Sequence, residues 1–115
     1  MQKNIYGKKS EIIACDFLKR NGYKILETNY KNKVGEIDII AKDKDYIVFV
    51  EVKARMSGMF GDPAEAVTET KQYKIRSVAS VYLMQKGKTE ANCRFDVVAV
   101  LGDEDADIRH IKDAF

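Results

Sequence analysis

No tryptophan, one proline, one histidine and two cysteines occur in 115 residues, and each scarcity narrows what the chain can do. The lone histidine, His110, stands near the terminus, remote in sequence from the carboxylates singled out below, so a serine or cysteine triad has no credible base. Cys15 and Cys93 are isolated within apolar segments, which suits core packing better than a disulfide, and a zinc cluster lacks ligands. Without tryptophan there is no ready sugar-stacking platform, and a lysine beside the acids does not suit a carboxyl held protonated, so two-carboxylate glycoside hydrolysis ranks last. No apolar run approaches membrane-spanning length, and Met1 to Lys9 is polar and basic without an apolar stretch. The expectation is a cytoplasmic chain with no membrane partner. Walker and dinucleotide glycine loops, a nucleophile elbow, internal repeats and low-complexity segments are all missing.

A hydrophobic content of 45 % and a charged content of 33 % belong to a globular protein, and the length suits one domain spanning residues 1–115. The net charge of +2 is too small to announce a polyanionic partner, but it is unevenly spread. Residues 1–35 hold eight Lys or Arg against three Asp or Glu, the middle is balanced, and residues 102–115 hold two against five. The basic first third is suited to phosphates, as it is also to solubility.

The most informative stretch is GEIDIIAKDKDYIVFVEVKAR, Gly35 to Arg55. Gly35–Ala41 and Ile47–Ala54 are rich in Ile and Val around a polar connection, the pattern of a β-hairpin. Side chains alternate along a strand, so Glu36, Asp38 and Ile40 are expected on one face of the first strand and Phe49, Glu51 and Lys53 on one face of the second. The other faces, with Ile37, Ile39 and Ala41 and then Val48, Val50, Val52 and Ala54, are apolar and must be buried. An even-numbered loop pairs residues whose numbers sum to 89, which sets Asp38 against Glu51 and Glu36 against Lys53. Opposed carboxylates destabilise a sheet by up to about 1 kcal/mol unless a cation intervenes. Mg²⁺, held by one or two carboxylates and water, suits such a pair. Lys53, two residues beyond Glu51 on the same face, is placed to contact a water or a phosphate oxygen there. The plain alternative is a solvated charged face with an ordinary Glu36–Lys53 ion pair, against which stand the apolar neighbours Ile40 and Phe49.

Around this hairpin, Asn4 is a candidate N-cap for a helix running to about Asn21 and ended by Gly22, with Tyr6, Ser10, Ile13, Ala14, Phe17 and Leu18 as its buried stripe. Glu11 sits at the margin of that stripe and on spacing alone is structural. Tyr23–Tyr30 reads as a strand, Met56–Pro63 as a glycine-bearing loop that is either a lid, a contact for a second copy of the chain in a homodimer, or a plain connection. Thr68 caps a second helix, Glu69 to about Lys86, ended by Gly87, with Ile75, Val78, Ala79 and Tyr82 inward. Lys71 near its start opposes the helix dipole and so calls for a phosphate or an acidic side chain nearby. Asn92–Leu101 is a further strand, whose Asp96 among valines calls for Arg94 or a lysine as partner. Ile108–Ile111 reads as a short edge strand, with Phe115 packing back on the core.

The order helix, three strands, helix, strand, with GEIDIIA, FVEVKAR, AVTETKQ at Ala66–Gln72, CRFDVVAV at Cys93–Val100 and the terminal DAF, resembles the PD-(D/E)xK nuclease superfamily. More closely it resembles the YraN-like family of predicted endonucleases, whose fold is similar to that of Holliday-junction resolvases. The resemblance spans nearly the whole chain and departs from the superfamily pattern at Ile37, where proline usually precedes the aspartate. It implies Asp38 and Glu51 as ligands of Mg²⁺, with Mn²⁺ as substitute, Glu11 as a third acid, a backbone carbonyl near Val52 as a further ligand, and Lys53 as the group that orients water. It implies Lys71, Gln72 and Arg55 as contacts to substrate phosphates, and leaves the roles of Glu36 and Asp96 open. The resulting expectation is an α/β domain, a mixed sheet flanked by helices, acting as a Mg²⁺-dependent endonuclease on nucleic acid, DNA and by analogy branched DNA. Its rival is a nucleic-acid-binding or scaffold module of the same fold without turnover.

Overall fold

Apolar positions recur along both helical segments at helical spacing and alternate along the strands, and these stripes close into one layered α/β domain. A computed structural model describes residues 2–55, 67–102 and 105–115, with side chains from residue 7 onward. The Met56–Pro63 loop expectation and residues 103–104 lie outside the described residues.

The elements are α1 (Gln2–Arg20), β1 (Lys24–Lys31), β2 (Glu36–Asp43), β3 (Tyr46–Arg55), α2 (Glu69–Gln85), β4 (Asn92–Leu101) and β5 (Asp107–Ile111). The five strands form one sheet in chain order. Pairing is antiparallel except between β3 and β4, which are parallel and connected through α2. Such a parallel step needs a crossover long enough to hold a helix. It therefore puts α2 on one face of the sheet, over Ile37, Ile40, Phe49 and Val97. The opposite face, with Ile39, Val48, Val50, Val98 and Val100, packs on Ala14 and Leu18 of α1.

Both helices end alike. Gly22 (φ +89°) follows α1 and Gly87 (φ +66°) follows α2, a left-handed conformation that glycine alone adopts freely. The amides of Tyr23 and Lys88 close back on the carbonyls of Leu18 and Leu83 in the usual glycine-terminated pattern. Thr68 Oγ1 accepts from the Lys71 amide at 3.2 Å, as expected of the α2 cap. The α1 cap differs from expectation, because the helix already begins at Gln2, ahead of Asn4. Phe115 stacks on Phe95 at 5.4 Å, and the Ala114 amide donates to the Phe95 carbonyl, so the tail does return to the core. Cys15 packs on the α1 side and Cys93 on the α2 side, so the sheet separates the two thiols. Among the described residues, no helix is long and apolar enough to cross a membrane.

Two details of the hairpin correct the simple alternation. The register from Asp43↔Tyr46 to Ile39↔Val50 has the expected sum of 89, but it stops before Asp38. On the other side, β1 pairs Thr28 with Ile39 and Tyr30 with Ile37, passing over Asn29 and Asp38. Asn29 has φ +51°, a kink opposite the aspartate. Ile37 consequently turns to the α2 side with Ile40 instead of joining Ile39 and Ala41. The expected Glu36–Lys53 pair is also absent. Glu36 lies on exposed β2 backbone paired with Lys31, whose Nζ is 3.9 Å from its carboxylate.

Candidate active site

At the point where β2 leaves the ladder, the Asp38 side chain fills in for the missing backbone partner. Its Oδ2 accepts the Val52 amide at 2.8 Å. Held there, the carboxyl comes within hydrogen-bonding reach of Glu51, although the register stops short of pairing the two residues. Burial, first, and then the Glu51 charge push the Asp38 carboxyl up to about 8, and the hydrogen bond that protonated Asp38 donates to Glu51 and the charge of Glu11 add to this against the Val52 amide. Two acids are thus held where one proton is kept at neutral pH, a condition typical of functional sites.

Glu51 projects toward α2 from the centre of β3, and its side chain is only 9 % exposed. Two ammonium groups reach its Oε2: Lys71 Nζ at 2.7 Å and Lys53 Nζ at 3.6 Å. Burial, assisted by the neighbouring Lys71 and opposed by Glu51, lowers the affinity of Lys53 for its proton. For Lys71 burial is again the largest influence and acts downward, but the hydrogen bonds to Glu51 and Lys53 and the charges of Glu51 and Asp38 outweigh it, so its proton is held more tightly. Within this pair of lysines, Lys71 holds its proton more tightly than usual and Lys53 less tightly. The acidic neighbour that Lys71 called for is therefore Glu51.

An open cleft of about 350 Å³ exposes this cluster between the β1–β2 turn and α2, lined among others by Gly35, Glu36, Asp38, Glu51, Lys71 and Lys74. The turn is fastened to the helix by Asn32 Nδ2 donating to the Val78 carbonyl at 3.2 Å. Gly35 allows this closeness, since a Cβ there would meet Val78 Cγ2 at 3.3 Å and Lys74 Cε at 3.4 Å. Gly35, Lys74 and Asn29 are the residues that spacing alone had not singled out. The glycine opening GEID was the available signal for the first.

The other expected site residues fall at different distances. Glu11, on α1, reaches Asp38 with its charge and lines a separate groove between α1 and β1. Gln72 Nε2 donates to the Val67 carbonyl at 2.9 Å, which secures the start of α2. Arg55 Nη1 donates to the Ala54 carbonyl at 3.0 Å at the end of β3. Asp96 is level with Val50 in the sheet but faces α1, so the sheet lies between it and Glu51. Fully buried, it accepts from Arg94 Nε at 2.9 Å and from the Asp113 amide at 3.0 Å, and its Oδ2 is 2.7 Å from His110 Nε2. Arg94 extends the network to Asp43 at 3.1 Å and to the Tyr23 hydroxyl at 2.6 Å. Arg94, not a lysine of the cleft, is the partner Asp96 called for.

A hard divalent ion fits the donor set in one form only. Among the described residues, no three His, Cys, Asp or Glu side chains converge as a cage. Two facing carboxylates, Asp38 and Glu51, suit an ion such as Mg²⁺ that keeps several waters and takes few protein ligands. Their mutual repulsion is the feature a cation relieves.

A family model described as "Uncharacterised protein family UPF0102" matches residues 10–100. A UPF0102 protein of Desulfosudis oleivorans is 47 % identical over 114 residues, which cover 99 % of this chain and 92 % of that one. Its counterpart in Alkaliphilus oremlandii is 48 % identical over 118 residues and the full length of both chains. That of Thermodesulfovibrio yellowstonii is 48 % identical over 109 residues, 95 % of this chain and 94 % of its own.

Proposed function

The chain belongs to the UPF0102 family, the YraN-like proteins that its sequence resembles, and from that premise we propose that it is a Mg²⁺-dependent endonuclease that hydrolyses phosphodiesters in nucleic acid. The observation that carries this reading is the facing of Asp38 and Glu51 with Lys53 Nζ 3.6 Å from the Glu51 carboxylate. Asp38 and Glu51 hold the ion, with Glu11 contributing negative charge from α1. When bound, Mg²⁺ (or Mn²⁺ in its place) neutralises charge developing on the phosphate and makes water more acidic. Lys53 orients the attacking water through its Nζ ammonium beside Glu51. Lys71 and Lys74 face the phosphates along the α2 side of the cleft. DNA is the substrate we favour, and branched DNA follows by analogy of fold alone.

A second reading, a binding module without turnover, has the 2.7 Å Lys71–Glu51 pair in its favour, since that contact satisfies the carboxylate by itself. Incubation with linear, flapped and four-way DNAs in Mg²⁺, Mn²⁺ or EDTA separates the two. Nicking that requires the divalent ion and is lost in an identically purified Glu51→Ala protein supports the nuclease. Binding without strand scission under every condition supports the module.

A further inference from the structure

Lys71 and Lys53 converge on the same oxygen, Glu51 Oε2, and that oxygen belongs to the pair of acids proposed above to hold a cation. Two ammonium groups already compensate its charge, so a divalent ion arriving there meets both repulsion and a ligand in use. One ammonium must withdraw. The two are not equally free to do so: the Lys71 side chain is 45 % exposed, that of Lys53 14 %. Lys53 is fixed in β3, whereas Lys71 stands in the first turn of α2 at the edge of the cleft. The helix start itself is secured by the Thr68 cap and the Gln72–Val67 hydrogen bond, so the four-carbon stem of Lys71 moves without the backbone. At that position its charge opposes the helix dipole, and a phosphate oxygen in the cleft would be favoured by both.

We propose that Lys71 is an exchangeable counter-ion, which competes with the divalent cation for Glu51 and is drawn off by a nucleic-acid phosphate, so that cation and polyanion favour each other's binding. This rests on the nuclease reading of the site and adds an order to its assembly: the cation binds weakly to the free protein and firmly once a phosphate holds Lys71. By linkage the effect is reciprocal, and the cation strengthens nucleic-acid binding by the same factor. The free protein thereby avoids carrying a loaded centre in the absence of substrate.

The test is calorimetric titration with Ca²⁺, which allows binding to be followed without strand scission, in the presence and absence of a short DNA duplex. Wild type, Lys71→Met and Lys71→Arg are compared, with melting curves in EDTA to verify that each is folded. The expected result is that duplex tightens Ca²⁺ binding to wild type by about 5- to 150-fold, the ordinary range of such coupling. Lys71→Met should bind Ca²⁺ more tightly than wild type without DNA and lose most of the coupling, and Lys71→Arg should retain it. Equal Ca²⁺ affinity of wild type and Lys71→Met without DNA, or undiminished coupling in Lys71→Met, overturns the exchange and leaves the metal site standing. No Ca²⁺ binding to wild type or Lys71→Met, with or without duplex, overturns the metal site and the exchange together.

Discussion

The Asp38 carboxylate accepts the Val52 amide at 2.8 Å at the position where backbone pairing between β2 and β3 ends. A side chain thus takes over a task that the ladder would give to a carbonyl, and the two strands separate around it. The consequence is that Asp38 lies between the strands, within reach of Glu51 on the α2 side and of the Glu11 charge from the α1 side. An ordinary ladder position would face only one helix.

The raised proton affinity of Asp38 fixes the sign of a pH effect. An unfolded aspartate loses its proton near pH 4, whereas Asp38 in the fold keeps it up to about 8, so between these values the folded state binds the extra proton. Stability of the metal-free protein should therefore fall as pH rises from about 4 to about 8. Asp38→Asn still accepts from Val52 but cannot ionise. Its melting temperature in EDTA should pull ahead of wild type across that window, while stabilisation by Mg²⁺ should vanish. Parallel melting-temperature profiles for the two proteins would contradict this assignment.

Asn29 controls the same geometry from β1. Its φ of +51° lies in the left-handed region, which asparagine tolerates and β-branched residues resist. Asn29→Gly should keep both the fold and the response to Mg²⁺. Asn29→Val should lose about 1–3 kcal/mol and weaken that response, because β1 must straighten opposite Asp38. Urea melts with and without Mg²⁺ measure both effects.

Much of this was legible from residue order, and the exceptions share a cause. The hairpin register followed from strand alternation and a short polar turn, and the α2 stripe and cap followed from helical spacing. What alternation did not reveal was the break at Asp38. It assumes an unbroken ladder, and so it kept Ile37 beside Ile39 and assigned Glu36 to Lys53. The positive φ at Asn29 and the crowding at Gly35 are backbone facts without a periodic signature. Glu11 was placed at the stripe margin by spacing, but its approach to Asp38 depends on how α1 docks. Spacing likewise showed that Asp96 required a partner, while the contribution of His110 arises only when β5 pairs with β4.

The Asp96 network should act on stability independently of the cleft. Its largest single influence, burial, raises the proton affinity, but the bonds to His110, Arg94 and the Asp113 amide outweigh it and hold the carboxyl below its usual range. That stabilisation is present above the unfolded pKa near 4 and is lost as pH falls through the lower folded value. Asp96→Ala leaves Arg94 its Asp43 ion pair but deprives the Arg94 Nε, His110 and the Asp113 amide of their shared partner, and should cost about 1–3 kcal/mol. Chemical denaturation at neutral pH reads this loss, and Ca²⁺ affinity of the variant, measured where it remains folded, should match wild type. An unchanged denaturation midpoint would show that the network contributes little.

Contacts to phosphate should make nucleic-acid binding depend on salt. Lys74 lines the cleft, and exposed Lys33 lies in the turn beside Gly35, so both are placed to meet a backbone that enters between the turn and α2. Each contact to a duplex phosphate releases condensed counter-ions and contributes about −0.9 to the slope of log affinity against log salt. Lys33→Ala and Lys74→Ala should each make that slope shallower by about 0.9 per lost contact, with little change in the Ca²⁺ affinity of the free protein. The two effects should add, because the residues stand on separate elements and act through separate phosphates. Fluorescence anisotropy with a labelled duplex in EDTA, over several salt concentrations, gives the slopes directly. A slope unaffected by both substitutions would move the nucleic-acid path away from the turn and α2, toward the basic residues of α1.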